Sequence, residues 1–240
     1  MRFAAIDIGS NALRLLTMNV FANNGNPIFK KESLIRIPLR LGEEAFMDGK
    51  ISDAKIKKLS GVMQAFKNLM EANDVLQYRA CATAAMREAS NGPEIIKRVF
   101  EETGVNIEIV DGSSEAKLIH SNKIGATLEG DKVYLYIDVG GGSTEISLIT
   151  HGEILFSQSF PIGTLKILNN QVDDEDWQPL MKVLKDFRKE HKGIIGIGSG
   201  GNINKIFKLY GDPAKGILTQ RQLVDAWKHL NGYSYAERVT

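Results

Sequence analysis

A short segment occurs twice in this chain, as IDIG at residues 6–9 and as IDVG at residues 137–140. Each copy lies in the first of three consecutive strand-like segments, in which apolar runs or alternation are separated by turn-forming Gly and Asn residues. The predicted strands cover 2–8, 12–20 and 28–37 in the first half and 132–139, 143–150 and 152–160 in the second. Internal duplication is the best explanation of the same element order at both places. The chain is therefore limited to folds with two equivalent halves.

Helical spacing replaces strand-like alternation after each group of strands. The first half continues with a helix from Ser52 or Asp53, a strand near 77–83, a helix near 92–103, a strand near 106–110 and a helix near 113–126. The second half continues with helices at 163–170 and 175–190, a strand at 193–198 and helices near 201–210 and 219–230. This order predicts an α/β protein with domains at 1–124 and 125–240. The second domain lacks a counterpart of the last strand and helix of the first, so it is expected to be incomplete.

Charge and composition exclude several classes of protein. The 30 Lys and Arg residues against 29 Asp and Glu give a net charge of +1, which is unlike a DNA-coating protein or a polybasic membrane binder. A single cysteine excludes an internal disulfide framework. No segment approaches the ~20 apolar residues of a membrane span, and the N-terminal segment meets Asp7 too early for a signal peptide. A cytoplasmic protein without DNA or membrane partners is expected.

The aspartate of each repeated segment is followed by a tight turn of small residues that leads into another strand. A P-loop or a Rossmann fingerprint would need a helix at that point, so both are excluded. Consecutive amide N–H groups in such turns can bind an anion, and two facing turns would hold a phosphate chain from both sides. Asp7 and Asp138 would then lie at the floor of the cleft and bind a hydrated Mg²⁺. The candidate phosphate-binding residues are Gly9, Ser10, Asn11, Gly140, Gly141, Gly142, Ser143 and Thr144.

A third glycine turn is a further candidate, and both it and the first turn have a structural alternative. The turn GIGSGGNI at 196–203 follows a strand and opens a helix, and its residues Gly198, Ser199, Gly200 and Gly201 either approach a phosphate or nucleoside or only allow tight strand–helix packing. For a single copy, an ordinary hairpin is the favoured interpretation of the turn at Gly9, but for the pair of turns this alternative loses weight.

Glu115 and Arg87 are candidate catalytic residues. Glu115 lies in the first turn of the predicted linking helix, where a carboxylate is favoured by the helix dipole alone. If that helix borders the cleft, the carboxylate could position and deprotonate a water for in-line attack on a terminal phosphoryl group. Arg87 is predicted to lie in the loop after a strand, where its guanidinium could neutralise the transferring group or form a surface ion pair.

In six segments, which occur in the same order, the chain resembles the exopolyphosphatase/guanosine-pentaphosphate phosphohydrolase (Ppx/GppA) family. The segments are IDIGSNALRLL, ATAAMREASNG, IEIVDGSSEAKLIHS, YIDVGGGSTEISLI, FPIGTLKI and GIGSGGNINKI. The resemblance extends over nearly the whole chain. It implies the actin-like superfold of sugar kinases and heat-shock ATPases, with two ribonuclease-H/actin-like domains facing a cleft, and it implies a homodimer.

The resemblance also implies roles for single residues. Glu115 matches the catalytic glutamate that orients the hydrolytic water, and Arg87 matches the arginine that contacts the phosphate being removed. Asp138 and Glu145 match the acidic residues around the metal and the water, and Glu145 is counted with both the catalytic and the metal-binding residues. Together with Asp7 these two carboxylates form the predicted Mg²⁺ site. The glycine turns match the two phosphate-binding turns of the family.

Two departures accompany the resemblance. Ser114-Glu115 stands where the family has two acidic residues, and the retained glutamate is the one at the catalytic position. A later glycine-leucine-arginine-(glutamate or aspartate)-glycine segment and the long-form C-terminal extension of the family are absent. A short-form member with a truncated second domain, inactive or less stable in the form given, is therefore expected.

The implied activity is Mg²⁺-dependent hydrolysis. Water would release the terminal phosphate of inorganic polyphosphate or the 5′-phosphate of guanosine pentaphosphate, a nucleotide of the stringent response. Both substrates present a terminal phosphoanhydride, so the choice between them stays open. Two other functions also stay open: a small-molecule kinase of the same superfold and a non-catalytic nucleotide or alarmone sensor.

Overall fold

The computed structural model describes residues 1–22, 27–111, 128–234 and 236–237. Glu115, the predicted helix near 113–126 and the boundary between domains 1–124 and 125–240 lie outside these residues. The domain division and the position of Glu115 therefore stay predictions.

The first half of the chain forms a mixed sheet in the order β3-β2-β1-β4-β5. Its strands are β1 (Arg2–Ile8), β2 (Leu13–Phe21), β3 (Ile28–Ile37), β4 (Val75–Ala82) and β5 (Glu108–Ile109). The first three strands form an antiparallel meander, while β4 lies parallel to β1 and β5 parallel to β4.

The second half repeats this arrangement as a sheet in the order β8-β7-β6-β9. Its strands are β6 (Val133–Val139), β7 (Thr144–Thr150), β8 (Glu153–Phe160) and β9 (Ile195–Ser199). Again three antiparallel strands are followed by a strand parallel to the first of them. The predicted α/β class and the predicted duplication are confirmed by this shared topology.

Helices connect and cover the sheets. In chain order they are α1 (Leu41–Met47), α2 (Asp53–Ala72), α3 (Ala84–Glu88), α4 (Gly92–Thr103), α5 (Thr164–Leu168), α6 (Asp174–Glu190), α7 (Gly201–Tyr210) and α8 (Gln220–Asn231). Several begin where the sequence supplies a cap: the Ser52 side chain accepts the Lys55 N–H at α2, and capping boxes open α6 and α8. The sequence did not predict α1 and α3. Both are too short to show helical periodicity, and Pro38 and Gly42 give the segment around α1 the composition of a loop.

The main core lies between the first sheet and helices α2 and α4. Ile6 and Ile8 of β1 face Leu59, Met63 and Phe66 of α2, and all five side chains are buried. A smaller core lies between the second sheet and α6, where the rings of Phe156 and Phe187 meet edge to face at 5.1 Å. Each core holds the first strand of its own half in place. The turns that follow β1 and β6 therefore begin at fixed strand ends. Within the described residues, no helix combines the length and the apolar character that crossing a bilayer requires.

The buried position of Phe66 gives a test of the main core. Phe66 is 0% exposed whereas Phe100, on α4, is 51% exposed. Phe66→Ala is expected to lower the free energy of unfolding by about 3–5 kcal/mol, because it removes buried apolar surface and leaves a cavity. The matched control Phe100→Ala is expected to lower it by less than about 1 kcal/mol. Urea denaturation followed by circular dichroism measures both, and equal losses would contradict the described packing of α2.

Candidate functional site

A pocket of about 360 Å³ lies where the ends of β1 and β6 come together. Both glycine turns line it, although they are about 130 residues apart in the chain. Of the residues predicted from the sequence, the pocket brings together Asp7, Gly9, Ser10, Asn11, Asp138, Gly140, Gly141, Gly142, Ser143, Glu145, Gly200 and Gly201. The lining is mostly backbone amide, carboxylate and guanidinium, which suits a charged ligand better than an apolar one.

Helix α5 fixes the orientation of the second turn. The Thr164 N–H donates to the Gly140 carbonyl (3.0 Å) and the Leu165 N–H donates to the Gly141 carbonyl (2.9 Å). In a trans peptide the carbonyl and the following N–H point in opposite directions. The N–H groups of Gly141 and Gly142 therefore point away from α5, and neither donates to a backbone carbonyl of the described residues. Two adjacent free amides of this kind form an anion-binding nest.

Helix α1 has the same role in the first turn. The Gly42 N–H donates to the Ser10 carbonyl (2.8 Å) and the Arg40 N–H donates to the Asn11 carbonyl (3.0 Å). By the same peptide geometry, the N–H groups of Asn11 and Ala12 point away from α1. The turns also close alike, since Gly9 N–H donates to the Ala12 carbonyl and Gly140 N–H to that of Ser143.

A signal for α1 was present in the sequence. Pro38 directly follows β3 and Pro161 directly follows β8. The sequence predicted the short helix after Pro161 but not the one after Pro38. Applying the duplication to this segment would have placed α1 from the sequence alone.

The two halves touch at the turns, and glycine is required there. A Cβ on Gly141 would lie 3.0 Å from the Ser10 Cβ, and a Cβ on Gly142 would lie 2.3 Å from the Phe46 Cζ. A Cβ on Gly163 would lie 2.3 Å from the Gly141 carbonyl oxygen. A side chain at Gly141 or Gly142 would press the second turn against the first half, and a side chain at Gly163 would meet the second turn itself. Both nests consequently open into one pocket.

The strand register places a line of side chains beneath each turn. In the first sheet, cross-strand pairing links Cys81, Asp7, Arg14 and Arg36, which we call the first row. In the second sheet it links Ser199, Asp138, Glu145 and Ser159, the second row. Residues paired in this way face the same side of a sheet. The equivalent positions carry two guanidiniums and one carboxylate in the first row but two carboxylates and no cation in the second.

Carboxylates of the second row are buried and hydrogen-bonded. Glu145 is 4% exposed, and its Oε1 accepts hydrogen bonds from the hydroxyls of Ser143 (2.6 Å) and Ser159 (2.8 Å). Burial raises the pKa of the Glu145 carboxyl, and the two hydroxyls act against that shift. Burial also raises the pKa of Asp138, while the Ser199 hydroxyl and the charge of Arg14 oppose the increase. The charged forms are thus costly without a nearby cation.

The donors in the pocket fit a Mg²⁺ ion that is shared with a ligand. Within the described ranges, no three His, Cys, Asp or Glu side chains form a group that could hold a metal by themselves, so Asp7, Asp138 and Glu145 do not make a closed cage. Mg²⁺ is usually bound by one or two carboxylates together with water and substrate phosphates. Asp7 and Asp138 face the pocket and supply such carboxylates, although the Asp7 Oδ2 also pairs with the Arg14 Nη1 at 2.5 Å.

Arg87 lies in helix α3 and not in the loop predicted for it. The short helix begins one residue after the Thr83 that follows β4, and Arg87 occupies its last turn. Its Nη1 donates to the Val110 carbonyl (2.9 Å), so in this part of the chain its bond is to backbone and not to a surface carboxylate. Its charge nevertheless acts to lower the pKa of Glu145, although Arg87 does not line the pocket.

Of the remaining predicted residues, some line the pocket and others make contacts within the protein. Gly200, with φ of +113°, and Gly201 line the pocket. The Ser199 hydroxyl bonds to Asp138, and Gly198 packs against Ile203, where a Cβ would lie 2.8 Å from the Cγ1. Thr144 does not line the pocket, because its buried hydroxyl donates to the Ile162 carbonyl (2.6 Å) and so ties the second turn to the start of α5.

Several pocket residues were not found from the sequence. Arg14, Arg36, Thr83 and Thr164 all line the pocket. Arg14 occupies the position equivalent to Glu145 when the two copies are superposed on their IDIG and IDVG segments, so the duplication could have identified it. Arg36 could be identified only from the register of β3 against β2, which the sequence does not reveal.

Comparisons with known proteins point to one family. A model of the Ppx/GppA phosphatase family matches residues 28–194. The bifunctional 3-dehydroquinate synthase/phosphatase of Fusobacterium nucleatum is 30% identical over 216 residues, which cover 81% of this chain and 32% of that protein. Exopolyphosphatase 1 of Mycobacterium bovis is 28% identical over 176 residues, which cover 73% of this chain and 50% of the relative. The matched regions thus amount to about a third and about half of these two curated relatives.

Among solved structures, an exopolyphosphatase from Cytophaga hutchinsonii superposes with a TM-score of 0.84 at 23% identity, over 100% of this chain and 83% of that one. This likeness, together with the repeated sheet topology, confirms the predicted duplicated actin-like α/β fold. The family model covers well over half of the sequence and includes the second turn, α5 and three of the four residues of the second row, namely Asp138, Glu145 and Ser159. The chain therefore belongs to the Ppx/GppA phosphatase family.

Proposed function

We propose that this protein hydrolyses terminal phosphoanhydride bonds and releases orthophosphate from inorganic polyphosphate or from the 5′ end of guanosine pentaphosphate. One observation carries the proposal: two equivalent turns with free backbone amides open into a single pocket whose floor holds carboxylates. Amides on both sides suit the oxygens of a phosphoryl group, and neighbouring carboxylates suit the Mg²⁺ that accompanies phosphates. Membership of a phosphatase family supports the same reaction class.

Hydrolysis in this pocket needs little covalent chemistry from the protein. Phosphoryl transfer depends mainly on positioning the two reacting oxygens in line and on neutralising charge. Four amides of the two turns, those of Asn11, Ala12, Gly141 and Gly142, would hold the oxygens of the terminal phosphate. When bound beside Asp7 and Asp138, Mg²⁺ would supply further positive charge. Arg87, whose charge acts on Glu145, would exchange its hydrogen bond to the Val110 carbonyl for one to the phosphate that is removed.

Two glutamates are available to act on the attacking water. Glu115 is the proposed catalytic base, and Glu145 is proposed to hold the water or the metal-bound ligands from the second row. Because Ser143 and Ser159 bind only the Oε1 of Glu145, its Oε2 can accept a further hydrogen bond. A buried carboxylate held by two hydroxyls has a fixed direction, which is what positioning a nucleophile requires.

A phosphate-release assay with Mg²⁺ tests the proposed reaction. We expect the protein to release orthophosphate from polyphosphate, guanosine pentaphosphate or both. Glu115→Gln and Glu145→Gln are expected to lower kcat by roughly 10²- to 10⁴-fold, the usual contribution of a positioned acid or base. Glu153→Gln is the matched control, since Glu153 is exposed at the start of β8, and it should retain wild-type turnover.

Each other result in this assay has a definite meaning. Wild-type turnover by Glu115→Gln would remove Glu115 from the proposed role. Tight binding of guanosine tetraphosphate with no hydrolysis of either substrate would select the sensor function instead. ATP consumption that depends on an added small-molecule acceptor would select the kinase.

Gly142 offers a test of the contact between the two turns. In Gly142→Ala the new Cβ would meet Phe46 and also Ala84, whose Cβ would lie 2.9 Å away. Because the two nests would be pushed apart, kcat/KM is expected to fall roughly 100-fold, as it does when reacting groups are misplaced by about 1 Å. Gly61→Ala is the matched control, since nothing lies within 4 Å of its Cβ in helix α2. It should keep full activity and gain about 0.5–1 kcal/mol of stability. Equal activity of both variants would contradict the close approach.

A further inference from the structure

Two arginines lie side by side at the outer end of the first row. Arg14 on β2 and Arg36 on β3 are direct cross-strand partners, and both line the pocket. Like charges directly opposite each other destabilise an antiparallel pair. An anion bound by the two guanidiniums would offset this repulsion.

The protein itself neutralises one of the two. Arg14 pairs with Asp7, which is its own cross-strand neighbour on β1. Among the residues that the structure describes, no carboxylate lies within the 4.0 Å ion-pairing distance of Arg36. Arg36 is exposed, lies on the edge strand β3 and lines the pocket.

The position of Arg36 relative to the turns suggests which part of a ligand it meets. The first row starts at Asp7, beside the first turn, and runs outward through Arg14 to Arg36. Adjacent strands are about 4.8 Å apart, so Arg36 stands roughly 10 Å from β1. Arg36 therefore lies one strand farther from the first turn than Arg14 does. Phosphates that follow the terminal one in a chain would extend past Arg14 toward Arg36, whereas the second row offers them no cation.

We propose that Arg36 is a specificity-determining residue that binds the non-transferred phosphates of a chain of at least three. This inference rests on the proposed function and deepens it, because it assigns the pocket to substrates with a phosphate tail behind the bond that is broken. An arginine suits this role, since its planar guanidinium can bind two phosphate oxygens at once. The exposed side chain makes no described contact that the fold requires.

Kinetics with matched variants test this role. Arg36→Ala is compared with Lys30→Ala, which removes the same charge from the same strand but lies outside the pocket. For Arg36→Ala we expect KM for polyphosphate to rise roughly 10- to 100-fold, the range expected for hydrogen bonds to charged groups, with a smaller change in kcat. Arg36→Lys is expected to fall between Arg36→Ala and the wild type. Lys30→Ala should keep the wild-type KM.

Calorimetry with Mg²⁺ gives a second readout that does not depend on turnover. For Arg36→Ala the affinity for the non-hydrolysable imidotriphosphate should fall by the same factor, while the affinity for orthophosphate stays within about twofold of wild type. Equal losses for both ligands, or a KM equal to that of Lys30→Ala, would overturn the proposal. If the wild type released no phosphate at all, the proposed function would fail separately, and the two calorimetric affinities would still decide the role of Arg36.

Discussion

The site depends on how the backbone carbonyls of two glycine turns are held. Each turn gives its carbonyls to the N–H groups at the start of a short helix, α1 in the first half and α5 in the second. Since a peptide unit is planar and trans, fixing the carbonyls fixes the following amides in the opposite direction. The free N–H groups are therefore set before any ligand arrives, which reduces the reorganisation that binding would otherwise require. The pocket, the need for glycine at 141 and 142 and the approach of the two halves all follow from this arrangement.

Duplication supplies the scaffold, and charge makes its two halves different. Asp7 and Asp138 occupy equivalent strand positions, but their neighbours on the next strand are Arg14 and Glu145. The exchange of one cation for one anion turns a symmetric frame into a pocket with a basic side and an acidic side. A ligand with phosphates at one end and a reacting water at the other needs this asymmetry. The buried, raised-pKa carboxylates of the second row also mark the side on which a cation would be most stabilised.

The sequence predicts those parts of the structure that local patterns encode. The strands around Ile6 and Ile137, the long helix after Ser52 and the two glycine turns each carry a periodic or turn-forming signature, and they were predicted within about two residues. Helix α1 was missed because seven residues with a Pro before them show no periodicity. Arg36 was missed because strand register is set by tertiary packing. Glu145 was found only through the family resemblance, since in sequence it is one acidic residue in an otherwise apolar and hydroxyl-rich strand.

A crystal structure of the protein with Mg²⁺ and imidotriphosphate would test the central claim most directly. The account predicts that the terminal phosphoryl oxygens lie within hydrogen-bonding distance of amide nitrogens from both turns, at Asn11 or Ala12 on one side and at Gly141 or Gly142 on the other. A phosphoryl group held by only one turn, or bound outside the pocket between β1 and β6, would contradict it.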